Sequence, residues 1–454
     1  MIVYPRGLAR SVRALARRCV SGRPRGPAPV VVFESRAGTL TVWVRTDEAV
    51  LVLSAPSRGD TAVTVVPMAV LAAVQGGGDD PVELVVGATL RGEARFADRG
   101  APRVHSFDAV PPGRQHRPPD SPDDWHPVPP DFLRALHECG RTTAREPGRY
   151  ALARVQVRGK PGQVIGTDGR AALVWGGFDL PFADDVLVPA LPVFGARELA
   201  GEAAARVGRT PTHLVVAAGP WRVHLPVDRE GRYPDVTGII PRHAPSVAGI
   251  DDRDAAALLD RLPTLPGAAD EQKPVTLDLD GGVVVRARDE ATRKVECVRL
   301  ERSPASGPPA RVVVDRRVLA RALANGCVTV RVAAGRPVVF AGGDTTFLAV
   351  ALDASLAAGG DPGPDSTITT LPERRPAMRP DTNGHPPPGR HDPPPADTTD
   401  PLAAAEELRA ALADAAAKAA RLVSALKSRK KEQRALTQVW SSLKALNLGP
   451  EDRP

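Results

Sequence analysis

Arginine side chains recur at helical spacing in three separate parts of the chain. In each part they lie on one face of a predicted helix, and apolar side chains form the opposite face. These arginines are Arg6, Arg10, Arg13, Arg17, Arg134, Arg141, Arg316, Arg317 and Arg321. Because guanidinium groups bind phosphate, such rows predict a surface that attracts nucleic acid in a salt-dependent, sequence-independent way. For any single helix, the alternative is that arginine only solvates an exposed face.

Other residues that could take part in catalysis or ligand binding form weaker patterns. The GTDG sequence at 166–169 resembles a phosphate-binding turn, but neither of the usual glycine-rich motifs follows it. A tight turn between strands, with positive φ at Gly169, is the better interpretation. His137 and Cys139 are two positions apart on a predicted helix and face different directions. We therefore expect no catalytic residue, metal or cofactor; an enzyme with an unrecognised site at Gly166 to Arg170 is the rival from another class.

The composition is compatible with a polyanionic partner and with sheet-rich domains. The 454 residues have a net charge of +7, and their hydrophobic fraction of 42% contains few aromatics, so the cores are built mainly from valine, leucine and alanine. The scattered cysteines indicate small core residues in a reducing compartment. No apolar run is long enough to span a bilayer. The arginine-rich N-terminus leads directly into a strand-like segment, so we interpret it as a structural helix and expect a cytoplasmic, nucleoid-associated protein without membrane contact.

An internal repeat organises the chain. Three segments share a strand, a charged corner and a second strand, and their corner aspartates Asp47, Asp168 and Asp289 are separated by 121 residues in both intervals. A second landmark keeps the same period, because a valine-rich strand ends at a predicted helix start at Pro67, Pro189 and Asp315.

A third landmark is an opening helix in each unit, at residues 6–19, from Pro129 and from Asp251. Each unit thus runs helix, strands, helix, strands. We predict an α+β protein of three repeated domains, each with two helices packed on antiparallel sheets.

Proline-rich connectors separate the units, at 110–130 and 233–247. The predicted domains are 1–112, 128–244 and 245–353, followed by a disordered linker at 354–400. A helix is predicted at 401–448, where apolar residues fall at steps of three and four. It either forms a coiled coil with a partner helix or packs on the body of its own chain.

Several segments resemble the bacterial DNA polymerase III β subunit, the β sliding clamp. RYALARVQV, GTDGRAAL and GRYPDVTGIIP resemble its middle domain, whereas RTDEAV and PVVFAGGDTTFLAVALD resemble its first and third domains. The resemblance covers residues 1 to about 353. It implies a homodimeric ring that encircles double-stranded DNA, tethers replicative or repair polymerases and is placed on DNA by clamp-loader subunits, with the arginine-faced helices and Arg197 directed at the DNA. A divergent clamp paralogue that binds DNA without encircling it is the alternative.

The resemblance also implies an apolar groove for partner peptides between the second and third domains. Its residues would be Leu152, Thr167, Gly169, Ala172, Pro241, Val247 and Val350. Two features depart from the family pattern: leucine is usual where Ala172 stands, and the chain continues for about a hundred residues beyond the usual end near Val350. Gln438, Val439 and Trp440 in this extension faintly resemble a clamp-binding peptide, although the heptad pattern explains Trp440 equally well.

Overall fold

The computed structural model describes residues 1–22, 27–57, 60–145, 150–201, 204–290, 292, 294–359 and 367–370. Contacts divide the chain into Met1–Arg374 and Arg375–Pro454, and all of the second unit lies outside the described residues. The helix predicted at 401–448 and most of the predicted linker therefore lie outside them as well. Within that linker, the described residues form a 3-10 helix at Ala354–Leu356 and a strand, β25, at Thr367–Thr370.

The same order of elements occurs three times: a strand, a helix, four strands, a second helix and three strands. The first copy contains β1 Ile2–Pro5, α1 Arg6–Arg18, β2 Val30–Arg36, β3 Thr39–Arg45, β4 Val50–Pro56, β5 Ala62–Pro67, α2 Met68–Val74, β6 Pro81–Val86, β7 Arg91–Asp98 and β8 Ala101–Asp108. The second contains β9 His126–Val128, α3 Asp131–Arg141, β10 Arg154–Arg158, β11 Gln163–Thr167, β12 Ala171–Trp175, β13 Asp185–Pro189, α4 Arg197–Ala200, β14 Ala205–Arg209, β15 His213–Ala218 and β16 Trp221–Pro226. The third contains β17 Ser246–Gly249, α5 Asp252–Arg261, β18 Pro274–Asp280, β19 Gly282–Arg288, β20 Val295–Ser306, β21 Ala310–Asp315, α6 Arg316–Ala324, β22 Thr329–Val332, β23 Val338–Gly342 and β24 Thr345–Ala349.

Each copy folds into two antiparallel four-stranded arrays, which in the third copy are joined by a short pairing of β17 with the end of β20. The first strand joins the last three, as in β1-β6-β7-β8, and the middle four strands form the second array, as in β5-β2-β3-β4. Alternation along the strands explains the packing: in β19, Val283, Val285 and Ala287 are buried while the residues between them are half-buried. The α+β prediction of three repeated domains is thus confirmed.

Strand edges join neighbouring domains into continuous sheets. The fourth strand of the first domain, β4, pairs with β16, the last strand of the second. In the same way β12 pairs with β24, the last strand of the third domain, through the register Ala171–Trp175 against Thr345–Ala349. We call these two pairings the seams. Both are antiparallel, and they satisfy backbone groups that would otherwise form exposed sheet edges.

The helices form one layer on a single face of these sheets. Contacts between helices run in the order α2, α1, the 3-10 helix Pro192–Gly195 with α4, α3, α6 and α5. One cluster of buried side chains lies between the helix layer and the sheets in all three domains. The apolar stripe predicted on α1 faces it, because Leu8, Val12 and Leu15 are buried. No helix among the described residues is long and apolar enough to cross a membrane.

One local prediction is corrected. The second helix of the middle domain does not begin at Pro189; a 3-10 helix at Pro192–Gly195 and the single turn α4 replace it. At Gly195 a Cβ atom would collide with the His137 ring, so this segment packs closely against α3. In the first domain, Asp47 lies at the predicted corner between β3 and β4, which is closed by Thr46, whose hydroxyl accepts the Ala49 N–H at 3.0 Å.

A buried histidine lies at the seam between the first two domains. His224 on β16 is opposite Val50 of β4, is 1% exposed, and has its ring centroid 6.2 Å from that of His213. Burial, with smaller contributions from the positive charges of His213, Arg222 and Arg45, lowers the pKa of His224 to about 3. His224 therefore takes up a proton near pH 6.5 in the unfolded chain but not in the folded chain. As a result, the free energy of unfolding decreases as the pH falls below 6.5.

The prediction is that His224→Leu reduces the loss of stability between pH 7 and pH 5. A single site of this kind contributes about 1.4 kcal/mol per pH unit well below pH 6.5. Urea unfolding at several pH values measures the slope. His243→Leu, at an exposed histidine, is the control and should retain the wild-type slope; equal slopes for both variants would contradict the assignment.

Candidate nucleic-acid and peptide interfaces

Three of the predicted DNA-binding arginines are exposed on adjoining elements of the helix layer. Arg10 and Arg17 are on α1, and Arg197 begins α4. These elements adjoin because α1 contacts the 3-10 helix that precedes α4, and Arg18 Nη1 lies 3.5 Å from the Gly195 carbonyl oxygen. Within the described residues, none of the three guanidinium groups bonds a protein acceptor. They are therefore available to phosphate. Arg13 is half-buried and donates to Gln75 Oε1 at 3.0 Å.

A second group of predicted arginines joins α3 to α6. Arg134 donates to the Ala324 carbonyl at 2.9 Å and lies over the Trp175 ring at 5.3 Å. Arg321 donates to Glu138 Oε2 at 3.2 Å, and Arg141 reaches the same carboxylate at 2.9 Å.

Glu138 is the shared acceptor of this group. Burial favours its neutral form, yet the two guanidinium groups hold its pKa below the usual range. Arg321 thus has a structural role at the junction of the second and third domains, whereas Arg134 is exposed and Arg141 is 54% exposed, so both can still face a polyanion.

The structure contradicts the predicted DNA contacts of Arg6 and Arg316. Arg6 is 8% exposed and donates to the carbonyls of Val74, Gln75 and Ala97. Arg316 is 4% exposed and donates to several carbonyls, including that of Leu265 at 2.7 Å. Both begin a helix whose antiparallel neighbour ends beside them, so they saturate carbonyls at that end. Arg317 is 59% exposed but is paired with the Asp315 carboxylate.

Exposed charged residues outside the predicted set also lie on the helix layer. Arg18 and Arg253 are exposed on α1 and α5 and were missing from the predicted set. Arg18 directly follows Arg17, which belongs to the predicted DNA-binding set. Arg253 lies between Asp252 and Asp254, so its helix was interpreted as acidic from the sequence. Exposed acids are also present, at Asp131, Asp252 and Asp260. The helix layer is therefore unevenly charged, and its positive charge is densest at α1, which contains five arginines and no acidic residue.

The outer face of the second seam bears most of the predicted groove residues. Thr167, Ala172, Leu348, Val339, Arg331 and Val247 are successive cross-strand partners from β11 to β17. Directly opposed residues share a face, so this row places Val247 with Thr167 and Ala172. Val350 follows β24, and its N–H bonds the Arg170 carbonyl at 2.8 Å.

The groove residues differ in how accessible they are. Val350 is 53% exposed, and Leu152, Pro241 and Val247 are partly exposed. Thr167 and Ala172 are each 4% exposed, because the connector residues Val236, Tyr233 and Ile240 pack against this part of the sheet. Val350, Leu152, Pro241 and Val247 are therefore the members of this set that remain accessible to solvent.

The GTDG corner has a structural role in the middle domain. Asp168 Oδ1 accepts the N–H groups of Arg170 and Ala171 at 2.8 and 2.7 Å, and Gly169 has a φ of +87°. Thr167 donates to the Ala171 carbonyl, which closes the turn from the other side. The carboxylate is therefore occupied by backbone, as the turn interpretation requires. The four cysteines, Cys19, Cys139, Cys297 and Cys327, are buried free thiols.

Comparison with solved structures identifies the architecture. The DNA polymerase III subunit beta of Borrelia burgdorferi matches with a TM-score of 0.64 and 9% identity, covering 78% of this chain and 98% of that one. The C. crescentus beta sliding clamp matches at 0.63 and 17%, covering 78% and 99%. The DNA polymerase III beta chain of Streptococcus pneumoniae matches at 0.63 and 13%, covering 78% and 100%. No protein-family model matches the sequence, and no curated protein is significantly similar to it.

The chain therefore has the three-domain architecture of a sliding clamp. More specifically, its fold is that of the bacterial DNA polymerase III β subunit, which confirms at the level of the fold the resemblance found in the sequence.

The buried arginines generate a stability prediction. Arg316→Met should lower the free energy of unfolding by about 3 kcal/mol, because it leaves several buried carbonyls without a donor. Its neighbour supplies the matched control: Arg317→Met should change stability by less than about 0.5 kcal/mol, since that ion pair is exposed. Urea denaturation measures both. Equal effects of the two substitutions would refute the structural role of Arg316.

Proposed function

We propose that this protein is a DNA clamp that closes into a ring of two copies around duplex DNA. The observation that carries this proposal is the repeated seam. In the first and second domains, the fourth strand pairs with the last strand of the following domain. Applied to the third domain, the same rule requires the edge of β20 to pair with β8 of a second copy. Two such contacts related by a twofold axis would close the assembly.

The helix layer supplies the surface that such a ring would present to DNA. Arg10, Arg17 and Arg197 are exposed and have no protein acceptor among the described residues, and Arg134 and Arg141 extend the surface towards the third domain. Neutral and acidic stretches interrupt it. Loose attraction of this kind is sufficient for a ring, because topological linkage rather than affinity keeps the protein on DNA, and it is independent of base sequence.

The second seam supplies a place for partner peptides. Leu152, Pro241, Val247 and Val350 present apolar surface beside the buried Ala172. We infer that replicative or repair polymerases and clamp-loader subunits bind here, and that the protein acts in the cytoplasm on nucleoid DNA without catalysing a reaction.

Retention on nicked circular DNA tests the ring. With a clamp loader supplied, we expect the protein to stay on the circle at elevated salt and to be released when the circle is linearised, because a closed ring slides off a free end. Gel filtration of the DNA–protein mixture before and after cutting measures this.

The control is a known clamp loaded under the same conditions. If the control is retained but this protein leaves both DNA forms at elevated salt, its contact is purely electrostatic, and the non-encircling alternative replaces the ring.

The groove proposal predicts that Val350→Asp weakens binding of a clamp-binding peptide from a DNA polymerase by at least about tenfold, since an apolar contact would be replaced by a charge. Fluorescence anisotropy with a labelled peptide measures the affinity. Val63→Asp is the matched control, because Val63 is 50% exposed and lies on β5 in the first domain. Equal affinities for the two variants would exclude this face as the binding site.

A further inference from the structure

A strand of the C-terminal extension occupies the edge of β20. Residues Thr367–Thr370 form β25, which pairs in parallel with Glu296 to Arg299 of β20. The opposite edge of the same four residues pairs with β19. Backbone groups on both sides of this part of β20 are therefore satisfied within one copy of the chain.

This edge is the one that the repeated seams leave for a second copy. In β4, the first residues, Val50 to Leu53, pair with β16. In β12, Ala171 to Trp175 pair with β24. The corresponding start of β20 is paired with β25 instead of with a last strand from another clamp domain. The extension thus occupies the third seam position, in parallel rather than antiparallel orientation.

Up to residue 359, the chain runs across the outer face of the third domain towards this position. After β24, the Leu352 N–H bonds the Val313 carbonyl on β21 at 2.8 Å, and the Ala358 N–H bonds Thr276 Oγ1 on β18 at 2.9 Å. Both Ala358 and Thr276 are 1% exposed. Residues 352–359 therefore run from β21 to β18 in the direction of β20, held at Leu352 and at the buried Ala358.

The complementary edge of the first domain is uncovered. Among the described strands, β8 pairs only with β7, and its residues 101–104 are exposed. Val104 is 61% exposed, an unusual position for a large apolar side chain on an edge strand. An exposed edge with an apolar side chain is suited to strand addition by another chain.

We propose that β25 competes with β8 of a second copy for the edge of β20, so that the extension holds the chain as a single copy and must leave β20 before the ring closes. This inference rests on the proposed clamp function. The ligand of the β20 edge is either this chain's own segment 367–370 or a second copy of this chain, and the two exclude each other because one strand edge has one set of backbone donors and acceptors.

Full-length protein with Ile368→Pro and Thr369→Pro tests the competition. Proline has no N–H, and two adjacent prolines remove a ladder donor whichever of the two positions faces β20. We expect the dimer to form at a concentration at least tenfold lower than in the wild type, measured by analytical ultracentrifugation. Thr398→Pro with Thr399→Pro, in the same extension, is the matched control and should leave the dimerisation constant unchanged.

Two further readouts make the result specific. Amide hydrogen exchange of residues 296–299, measured on dilute monomer, should be faster in the Ile368→Pro/Thr369→Pro variant than in wild type and control. Adding Val104→Asp on β8 should then abolish the gain in dimerisation, because a charge would be placed at the contact between copies.

The outcomes separate the competition from the clamp function. Unchanged exchange at 296–299 would overturn the position of β25. Faster exchange with equal dimerisation of variant and control would overturn the competition and leave the ring intact. Faster exchange without dimerisation of any variant would overturn the ring itself, and with it the competition. Tighter dimerisation that Val104→Asp reverses supports both.

Discussion

Backbone pairing across the domain seams is the constraint on which the rest of the structure depends. A four-stranded array has two free edges, and each edge exposes a row of unpaired donors and acceptors. At β4–β16 and β12–β24 these groups pair between domains. Directly paired residues on antiparallel strands share a face of the sheet. The face that packs against helices in one domain therefore continues across each seam as the helix-packed face of the next domain. This is why all helices of the described domains lie in one layer.

The helix layer determines which arginines are available. Where antiparallel helices end beside each other, a guanidinium group at the start of one helix can saturate carbonyls at the end of the other, as Arg6 and Arg316 do. Where helices of neighbouring domains meet, Arg321 and Glu138 are paired. The predicted arginines left for a polyanion are Arg10, Arg17 and Arg197, which have no protein acceptor among the described residues, together with Arg134 and Arg141, which stay exposed beside the contact between α3 and α6. Burial and exposure thus follow from helix packing, although all of these residues belong to the same sequence pattern.

The clamp fold was expected from the resemblance of several segments to the β sliding clamp, whereas the repeat and the opening helices could be predicted from the sequence, because each depends on hydrophobic periodicity and turn chemistry within short segments. The burial of Arg6 and Arg316 could not, since their acceptors are backbone carbonyls that carry no residue-type signal. The same is true of β25. The composition after Asp353 indicates a linker, yet any short segment can supply main-chain donors to an open edge. Thr167, Ala172 and Val247 lie in one cross-strand row, but the burial of Ala172 depends on a connector whose path no local pattern defines.

The low identities of 9% to 17% with solved clamps are consistent with a fold that depends on backbone pairing more than on particular side chains. A seam needs strand alternation and correct register, and many valine, leucine and alanine combinations satisfy both. The surfaces that would contact DNA and peptides are under no such restriction, so they can change while the architecture persists. At Ala172 a smaller side chain lies under the connector, and beyond Val350 residues 367–370 pair with the edge of β20. If that edge is the contact between copies, as we propose, an extension that supplies its own strand would change the assembly without changing any domain.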